Sequence, residues 1–172
     1  MKKLIFIAST LFLFVFAQST FAQSKKDIVD VAVSVDDFST LVTALKAADL
    51  VGALKGDGPF TVFAPTNDAF AKIDSKTLNS LLEPANKSKL ASILTYHVVS
   101  GKIDAAAVVS ALKSGGGKAE LTTLNGAKLK AVKKDGKIWL KDQNGNYSQI
   151  VKTDVMATNG VIHVIGDVVM PK

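Results

Sequence analysis

The order of hydrophobic and polar residues divides the chain into a helical first half and a strand-rich second half. In the first half, apolar residues recur at the spacing of a helix with one buried face, as in the stretch 38–45. A short apolar run at 60–64 ends at Pro65 and predicts a strand. From Lys118 onward, the alternation of apolar and polar residues predicts strands with one face in the core. This order of elements predicts an α+β domain.

Residues that favour helix ends support the helical half. Asp36 or Asp37 is placed to cap the helix over 38–45, and Gly52 and Gly56 interrupt the turns that follow it.

Further caps predict the remaining helices. Thr66 or Asn67 can cap the turn after the first strand, and Ser75 can cap the next. A helix that starts near Pro84 carries its apolar stripe as far as His97 and ends at Gly101, and Asp104 caps the last one; these are the segments 84–101 and 104–112.

Tight turns organise the second half into an antiparallel meander. The strand segments are 127–131, 138–140 and 148–152. Asp135-Gly136 and Asn144-Gly145 separate them, and both dipeptides are typical of two-residue hairpin turns. The run 161–165 is apolar at odd and even positions alike, which predicts a central strand covered on both faces.

The first 22 residues have the pattern of a secretory signal peptide. Lys2 and Lys3 precede the apolar run 4–16, and the small residues at 20–22 suit cleavage after Ala22. The run is shorter than the roughly 20 residues that span a bilayer. We therefore expect an exported protein that begins at Gln23, has no transmembrane segment after cleavage, and acts in the periplasm, at the cell surface or outside the cell.

Composition narrows the class of the remaining 150 residues, which form one domain, 23–172. The chain has no cysteine, so neither disulfides nor a lipid-attachment cysteine are available. All 21 basic residues are lysines, two of them in the leader, which leaves 19 lysines against 15 acids and a charge of +4. The absence of arginine argues against a nucleic-acid partner. Weak attraction to acidic polysaccharide or anionic lipid stays open.

Candidate catalytic and metal-ligating residues are few. His97 and His163 are the only histidines, and without cysteine they assemble no metal or haem motif. Each shares a face with apolar residues, which predicts a core histidine. No nucleophile elbow or phosphate loop is present. The sequence predicts a protein without metal, cofactor or catalytic residues.

Three segments together resemble the fasciclin family (FAS1, beta-Ig-H3), and the likeness extends from about residue 27 to residue 171. The first segment, 58–70, reads GPFTVFAPTNDAF. The second, 93–99, reads ILTYHVV and contains a Tyr-His pair. The third, 159–171, begins NGVIHVI and ends Met-Pro.

The resemblance implies helices packed on a wedge of mostly antiparallel strands, a role in adhesion or matrix interaction, and no cofactor. It also implies partner-binding residues: Asp154, Val155 and Met156 just before the closing segment, together with Tyr96 and His97. The alternative for Tyr96 and His97 is a bracing role in the interior. We expect Asp154 on an exposed connection between a strand that ends near Thr153 and the turn at Asn159-Gly160, and the alternative role for it is turn capping.

These observations predict a non-catalytic extracellular or cell-surface adhesion module that binds a protein or polysaccharide. Two alternatives stay open. One is a secreted enzyme acting on matrix polymers, which lacks support from catalytic motifs. The other is a carrier of small ligands or lipids, which requires a sizeable apolar cavity. The sequence leaves the oligomeric state undetermined.

Overall fold

The computed structural model describes residues 26–172, and this part of the chain contains seven α-helices, two short 3-10 helices and seven strands. The predicted leader, residues 1–22, and its cleavage site lie outside the described residues. The helices are α1 (Ile28–Val33), α2 (Ser39–Ala47), α3 (Val51–Lys55), α4 (Asn67–Ala71), α5 (Ser75–Leu82), α6 (Lys87–Tyr96) and α7 (Ala105–Ser114). The strands are β1 (Phe60–Pro65), β2 (Val98–Ser100), β3 (Lys118–Thr122), β4 (Lys128–Lys134), β5 (Lys137–Lys141), β6 (Tyr147–Ala157) and β7 (Gly160–Ile165). The predicted α+β class is confirmed.

The strands form one sheet with the order β2-β1-β7-β6-β5-β4-β3. Strands β3 to β6 pair antiparallel in sequence order, which confirms the predicted meander. Strands β1 and β7 pair in parallel, from Phe60 opposite Gly160 to Pro65 opposite Ile165. The central position predicted for β7 is confirmed, because all six of its residues are buried.

The sheet curls until its two outer strands meet. The Leu124 amide, just after β3, donates a 2.7 Å hydrogen bond to the carbonyl of Val98 in β2, and Val99 bridges to Thr123. This contact covers β2 and the end of β3, so the edges of the sheet are less open to pairing with other chains.

Two hydrophobic cores lie on opposite faces of β1 and β7. The first core packs α1 to α6 against side chains such as Val62 and Ile162. The second lies inside the curl and combines Phe63 and Ile165 with inward-facing residues of β3 to β6 and of α7; its buried members from these elements include Val108, Leu112, Leu121, Leu129, Ala131, Leu140 and Ile150. Strand β7 therefore supplies alternate side chains to both cores.

Helix starts agree with the sequence at two of the predicted caps and differ at two others. Thr66 accepts from the Ala69 amide and Asp104 from the Ala107 amide, as predicted. The prediction that Ser75 caps α5 is wrong, since Asp74 accepts from the Thr77 amide and Ser75 is the first helical residue.

The start of α2 is capped from another part of the chain. The side chain of Asn67 accepts a 3.0 Å hydrogen bond from the Thr40 amide and donates a 2.9 Å bond to the Asp36 carbonyl. Asp36 itself lies in a single turn of 3-10 helix that runs to Phe38 and has no side-chain cap. The prediction of an Asp36 or Asp37 cap is therefore wrong, and the motif residue Asn67 takes that role.

Two helix ends also differ from expectation. Helix α6 ends at Tyr96 rather than near Gly101, because residues 98–100 pair with β1 as strand β2. Gly52 lies inside α3 rather than ending a helix. In the first case tertiary pairing outweighs the local helical pattern; in the second, packing of α3 against the first core outweighs the low helix propensity of glycine.

The junction of β1 and β7 requires a glycine at position 160. A Cβ atom there would overlap the carbonyl oxygen of Phe60 and lie 2.8 Å from Cδ1 of Ile28. At Gly166 an added Cβ would make only ordinary contact, 3.7 Å from the Val151 side chain.

We expect Gly160→Ala to lower the free energy of unfolding by about 1–3 kcal/mol, because the added methyl forces β1, β7 and α1 apart. The matched control Gly166→Ala should change it by less than about 0.5 kcal/mol. Urea denaturation of both variants measures the difference. Equal stability of the two variants would contradict the close approach described here.

Candidate functional site

Tyr96 lies in the interior and links α6 to the curled sheet. Its side chain is fully buried, and its hydroxyl donates a 3.0 Å hydrogen bond to the carbonyl of Lys128 in β4. Burial raises the pKa of Tyr96 to about 12, and the negative charge of Asp142 adds to this effect. The phenol is therefore a neutral donor at physiological pH and braces two elements of the fold.

His97 is the C-cap of α6 and is 2% exposed, so the prediction of a core histidine is confirmed. Its Nδ1 lies 2.8 Å from the Ile93 carbonyl, and its Nε2 lies 3.3 Å from the Val169 amide. This network assigns the proton to Nδ1, which donates, while Nε2 accepts. Burial lowers the pKa of His97 to about 4. The neutral ring ties the C-terminal segment to α6.

Asp154 lies in a bulge of β6. The pairing of β6 with β7 shifts register between Lys152 and Val155, and Asp154 has a φ of 58°. The prediction that it belongs to an exposed connection after a strand ending near Thr153 is wrong, because β6 continues to Ala157 and Asp154 is half-buried. An extra residue in one strand produces such a kink, and aspartate tolerates the left-handed conformation better than most residues.

The carboxylate of Asp154 caps α7 together with Asp104. Its Oδ1 accepts a 2.8 Å hydrogen bond from the Ala105 amide, the first residue of that helix. Negative charge is favourable at a helix N-terminus. Asp154 is therefore a helix cap, whereas the alternative that the sequence left open was the capping of a local turn.

His163 lies beneath this bulge and holds it in place, a role that the sequence analysis did not predict. The ring is fully buried and stacked against Phe63, with centroids 5.7 Å apart. Its Nε2 donates to the Ile103 carbonyl at 2.7 Å, and its Nδ1 accepts from the Asp154 amide at 3.3 Å. Both ring nitrogens are engaged, so His163 holds the bulge and the start of α7 together. The sequence signal was a polar residue at an inward position of a doubly buried strand.

Val155 and Met156 follow Asp154 with opposite orientations. Val155 pairs with Ile162 and packs against the helical core, whereas Met156 pairs with Val161 and is 44% exposed. Of the five predicted residues, Met156 offers the most accessible apolar surface.

The predicted site residues form two separate groups. Tyr96 and His97 contact β4 and the C-terminal segment, whereas Asp154 contacts α7 and β7. The structure therefore joins Asp154, Val155 and Met156 on one strand edge and places Tyr96 and His97 inside the domain.

Comparison with known proteins agrees with this fold. The family model described as fasciclin domain matches residues 36–171. The chain belongs to the fasciclin domain family. Protein sll1483 of Synechocystis sp. is 52% identical over 148 residues, which cover 86% of this chain and 75% of that protein. The transforming growth factor-beta-induced protein ig-h3 of Sus scrofa is 36% identical over 84% of this chain and 19% of its own length.

A solved structure shows the same fold. The FAS1 domain pair from the insect cell adhesion molecule fasciclin I superimposes with a TM-score of 0.57 at 18% identity, covering 76% of this chain and 43% of that one. Fasciclin domains are generally non-catalytic interaction modules, and their homologues include extracellular or secreted proteins.

The motif residues of this fasciclin domain hold the fold together. Asn159 accepts a 2.9 Å bond from the Ile28 amide and donates to the carbonyls of Leu54 and Gly56 at 2.8 and 3.1 Å. One carboxamide thus joins the start of α1 to the end of α3. The Asn67 carboxamide likewise joins α4 to the start of α2.

Ligand space inside the helical core of the fasciclin domain is small. A void of about 20 Å³ lies between α1, α2, α6 and the sheet, lined by residues such as Leu45, Leu94 and His97. That volume accommodates about one water molecule. Across residues 26–172, no three acidic or histidine side chains converge as a metal site. Every helix in the same range is too short or too polar to cross a bilayer.

The neutral state of His97 predicts a pH dependence of stability. Its pKa is 6.5 in the unfolded chain and about 4 in the folded protein. Between these values the unfolded chain takes up a proton that the folded protein does not, so the free energy of unfolding falls as the pH falls. At pH 4 the free energy of unfolding is about 3 kcal/mol lower than at neutral pH because of His97 alone.

His97→Gln should lower stability at pH 7 by about 1–3 kcal/mol through the altered hydrogen bonds, but its stability should fall less steeply between pH 6.5 and pH 4.5. Urea denaturation at several pH values compares the two slopes, and the carboxylates common to both proteins cancel. Identical slopes would contradict a buried neutral His97.

Asp154 allows a second stability test. Asp154→Ala removes the acceptor for the Ala105 amide and should lower the free energy of unfolding by about 0.5–2 kcal/mol. Asp154→Asn keeps an acceptor oxygen and tolerates a positive φ, so it should stay within about 0.5 kcal/mol of the parent protein. Urea denaturation separates the two. A neutral Asp154→Ala would show that the cap contributes nothing to stability.

Proposed function

We propose that this fasciclin domain is an exported, single-domain and non-catalytic adhesion module that binds a protein or polysaccharide at a cell surface or in a matrix. The leader pattern in residues 1–22 and the extracellular homologues support export. Residues 23–172 form the module. A module with one binding domain reaches multivalent attachment through oligomers or tethering.

The observation that carries the proposal is the edge formed by Asp154, Val155 and Met156. Met156 exposes apolar surface two residues after Asp154. The Asp154 amide donates to His163, and its carboxylate accepts from the Ala105 amide, so both groups of Asp154 are held in place. A surface that is ordered before binding loses little conformational freedom when a partner docks. An apolar contact next to a fixed charge also favours a specific orientation of that partner.

Two observations favour adhesion over the alternatives. Both ring nitrogens of His97 and of His163 are engaged in hydrogen bonds, which leaves neither ring placed as a general base for a matrix-degrading enzyme. The void enclosed in the helical core is smaller than the 300 Å³ or more typical of small-molecule sites. The apolar space of about 340 Å³ lined by Val29, Val33 and Val42 is open to solvent, so it would not enclose a lipid as a carrier does.

Attachment of protein-coated beads tests the proposal. Beads carrying the exported protein should bind washed cells of the producing strain, or their isolated surface polymers, more strongly than albumin-coated beads. Met156→Lys should weaken attachment about tenfold, equivalent to about 1.4 kcal/mol. Val33→Lys is the matched control, because Val33 is an apolar residue that is 60% exposed on α1.

Asp154→Asn separates the charge of this edge from its capping role. If the carboxylate contacts the partner, this variant attaches more weakly although its stability is unchanged. Attachment no better than that of albumin would overturn the adhesive function. Full attachment by both Met156→Lys and Asp154→Asn would keep the function but remove this edge from the binding surface.

A further inference from the structure

The outer face of the meander concentrates the positive charge of the molecule. Along β3, β4 and β5, inward side chains such as Leu121, Leu129 and Leu140 enter the second core. The alternate positions point outward. Their lysines are Lys118, Lys128, Lys130, Lys134, Lys137 and Lys141, and the acid among them is Glu120. We call this set the lysine face.

The charge of the lysine face exceeds that of the whole exported chain. Six lysines and one glutamate give the face a charge of +5, whereas residues 23–172 together carry +4. The remainder of that chain is therefore close to −1. Such a one-sided distribution attracts polyanions to a particular surface rather than to the molecule in general.

Strand register places like charges opposite each other on this face. Lys130 pairs with Lys141, and Lys134 pairs with Lys137, across β4 and β5. Like charges in directly opposite positions destabilise a sheet. An anionic ligand that lies between these lysines would relieve the repulsion.

A cleft lies at one end of the lysine face. Its volume is about 540 Å³, and Lys128, Lys130, Lys141 and Lys172 contribute to its walls together with the turn 142–145. This volume is within the range of small-molecule sites, so the cleft accommodates a sugar unit. Glu120 also lines the cleft, lies opposite Lys130 in the register of β3 and β4, and is 3.5 Å from the Lys128 ammonium. The other lysines of the cleft form no ion pair with a described residue.

The acid at the floor of the cleft is engaged internally. Asp142 is buried, and its carboxylate accepts hydrogen bonds from the amides of Asn144, Asn146 and Met170 at 2.8 to 3.2 Å and from the Asn146 side chain. Because these donors surround its oxygens, Asp142 shapes the turn and opposes an incoming anion less than an exposed carboxylate would.

Two aromatic side chains lie on the same face, next to the cleft residue Lys141. Tyr147 lies opposite Lys141 in the neighbouring strand, is 46% exposed, and has the Lys141 ammonium 5.2 Å from its ring centroid. Trp139 lies two residues before Lys141 in β5, on the same face, and is half-buried. Its indole N–H is buried and has no hydrogen-bond partner among the described residues. A ring beside a cation suits a ligand that has both an apolar face and a negative charge.

We propose that the lysine face binds an acidic polysaccharide, a chain of carboxylated sugars that lies across β3 to β6 with one unit in the cleft. Lysine ammonium groups meet the carboxylates, and Tyr147 meets the face of a sugar ring. This inference rests on the proposed function and names one partner class for it, on a surface other than the Asp154–Met156 edge. The lack of arginine favours carboxylates over the phosphates that arginine recognises in pairs.

Polygalacturonate is the probe, and binding to it is measured by biolayer interferometry with the exported protein at low and at physiological salt. Its methyl ester, which lacks the charge, and neutral dextran should bind at least tenfold more weakly. Affinity for polygalacturonate should fall as salt rises. Oligothymidylate and phosphatidylglycerol vesicles serve as the nucleic-acid and membrane probes.

Lys130→Gln/Lys141→Gln should reduce affinity for polygalacturonate at least tenfold. The matched control is Lys76→Gln/Lys89→Gln, which removes the same charge from exposed positions on α5 and α6 and should change affinity less than twofold. Tyr147→Ala should weaken polygalacturonate binding about threefold or more and leave the unfolding midpoint unchanged.

Three outcomes would overturn the proposal: no binding of polygalacturonate at low salt, an equal loss in both lysine pairs, or tighter binding of oligothymidylate or vesicles. None of them would affect bead attachment that depends on Met156. Conversely, beads that fail to attach to cells although polygalacturonate binds would overturn the adhesive function and leave the lysine face assigned.

Discussion

The fold depends on a strand that is buried on both faces. Strand β7 pairs with β1 on one side and β6 on the other, and its alternate residues enter the helical core and the core inside the curl. A strand in that position must approach its neighbours closely along its whole length. The glycine at its start permits this approach, and Asn159 just before it ties the strand to α1 and α3. The helices and the meander are thus attached to one shared element.

The polar residues of the interior follow from that arrangement. A doubly buried strand that carries a histidine must satisfy both ring nitrogens, and His163 does so with Ile103 and Asp154. His97 meets the same requirement with Ile93 and Val169. A buried polar group without a hydrogen-bond partner lowers the stability of the fold. The two histidines therefore fix the positions of the segments that they contact. The conspicuous Tyr-His pair is therefore explained by the interior of the domain.

Much of this was predictable from the sequence where local pattern and tertiary packing agree. Strand alternation and the two hairpin turns identified the meander, and the apolar run at 161–165 identified the central strand. The predictions were wrong where a residue distant in sequence determines the start or the end of a helix. Asn67 caps a helix 27 residues earlier in the chain, which no local cap rule detects. Residues after Tyr96 leave the helix because β1 offers pairing partners.

The prediction for Asp154 was wrong for a related reason. A shift in register between β6 and β7 is a property of two strands, so the sequence of β6 alone does not reveal it. The lysines of the lysine face, by contrast, are visible in the sequence as alternate residues, but their meaning depends on which strands are neighbours. Because they are scattered along the chain, the sequence alone indicated only a weak attraction to acidic polysaccharide or anionic lipid. The antiparallel register of β3, β4 and β5 gathers them on one face.

Stability and the proposed contact with an acidic polysaccharide fall on different residues in this domain, whereas Asp154 combines a capping role with a proposed binding role. The residues that carry the family resemblance are committed to the interior by hydrogen bonds and close packing, so changing them alters folding before it alters any surface. Outward positions on the meander contribute little to either core, and some of them, such as Lys130 opposite Lys141, oppose the pairing of their own strands. A fold that is held by its buried strand tolerates such repulsion. The two cores supply the stability that allows the outer face to carry closely spaced like charges.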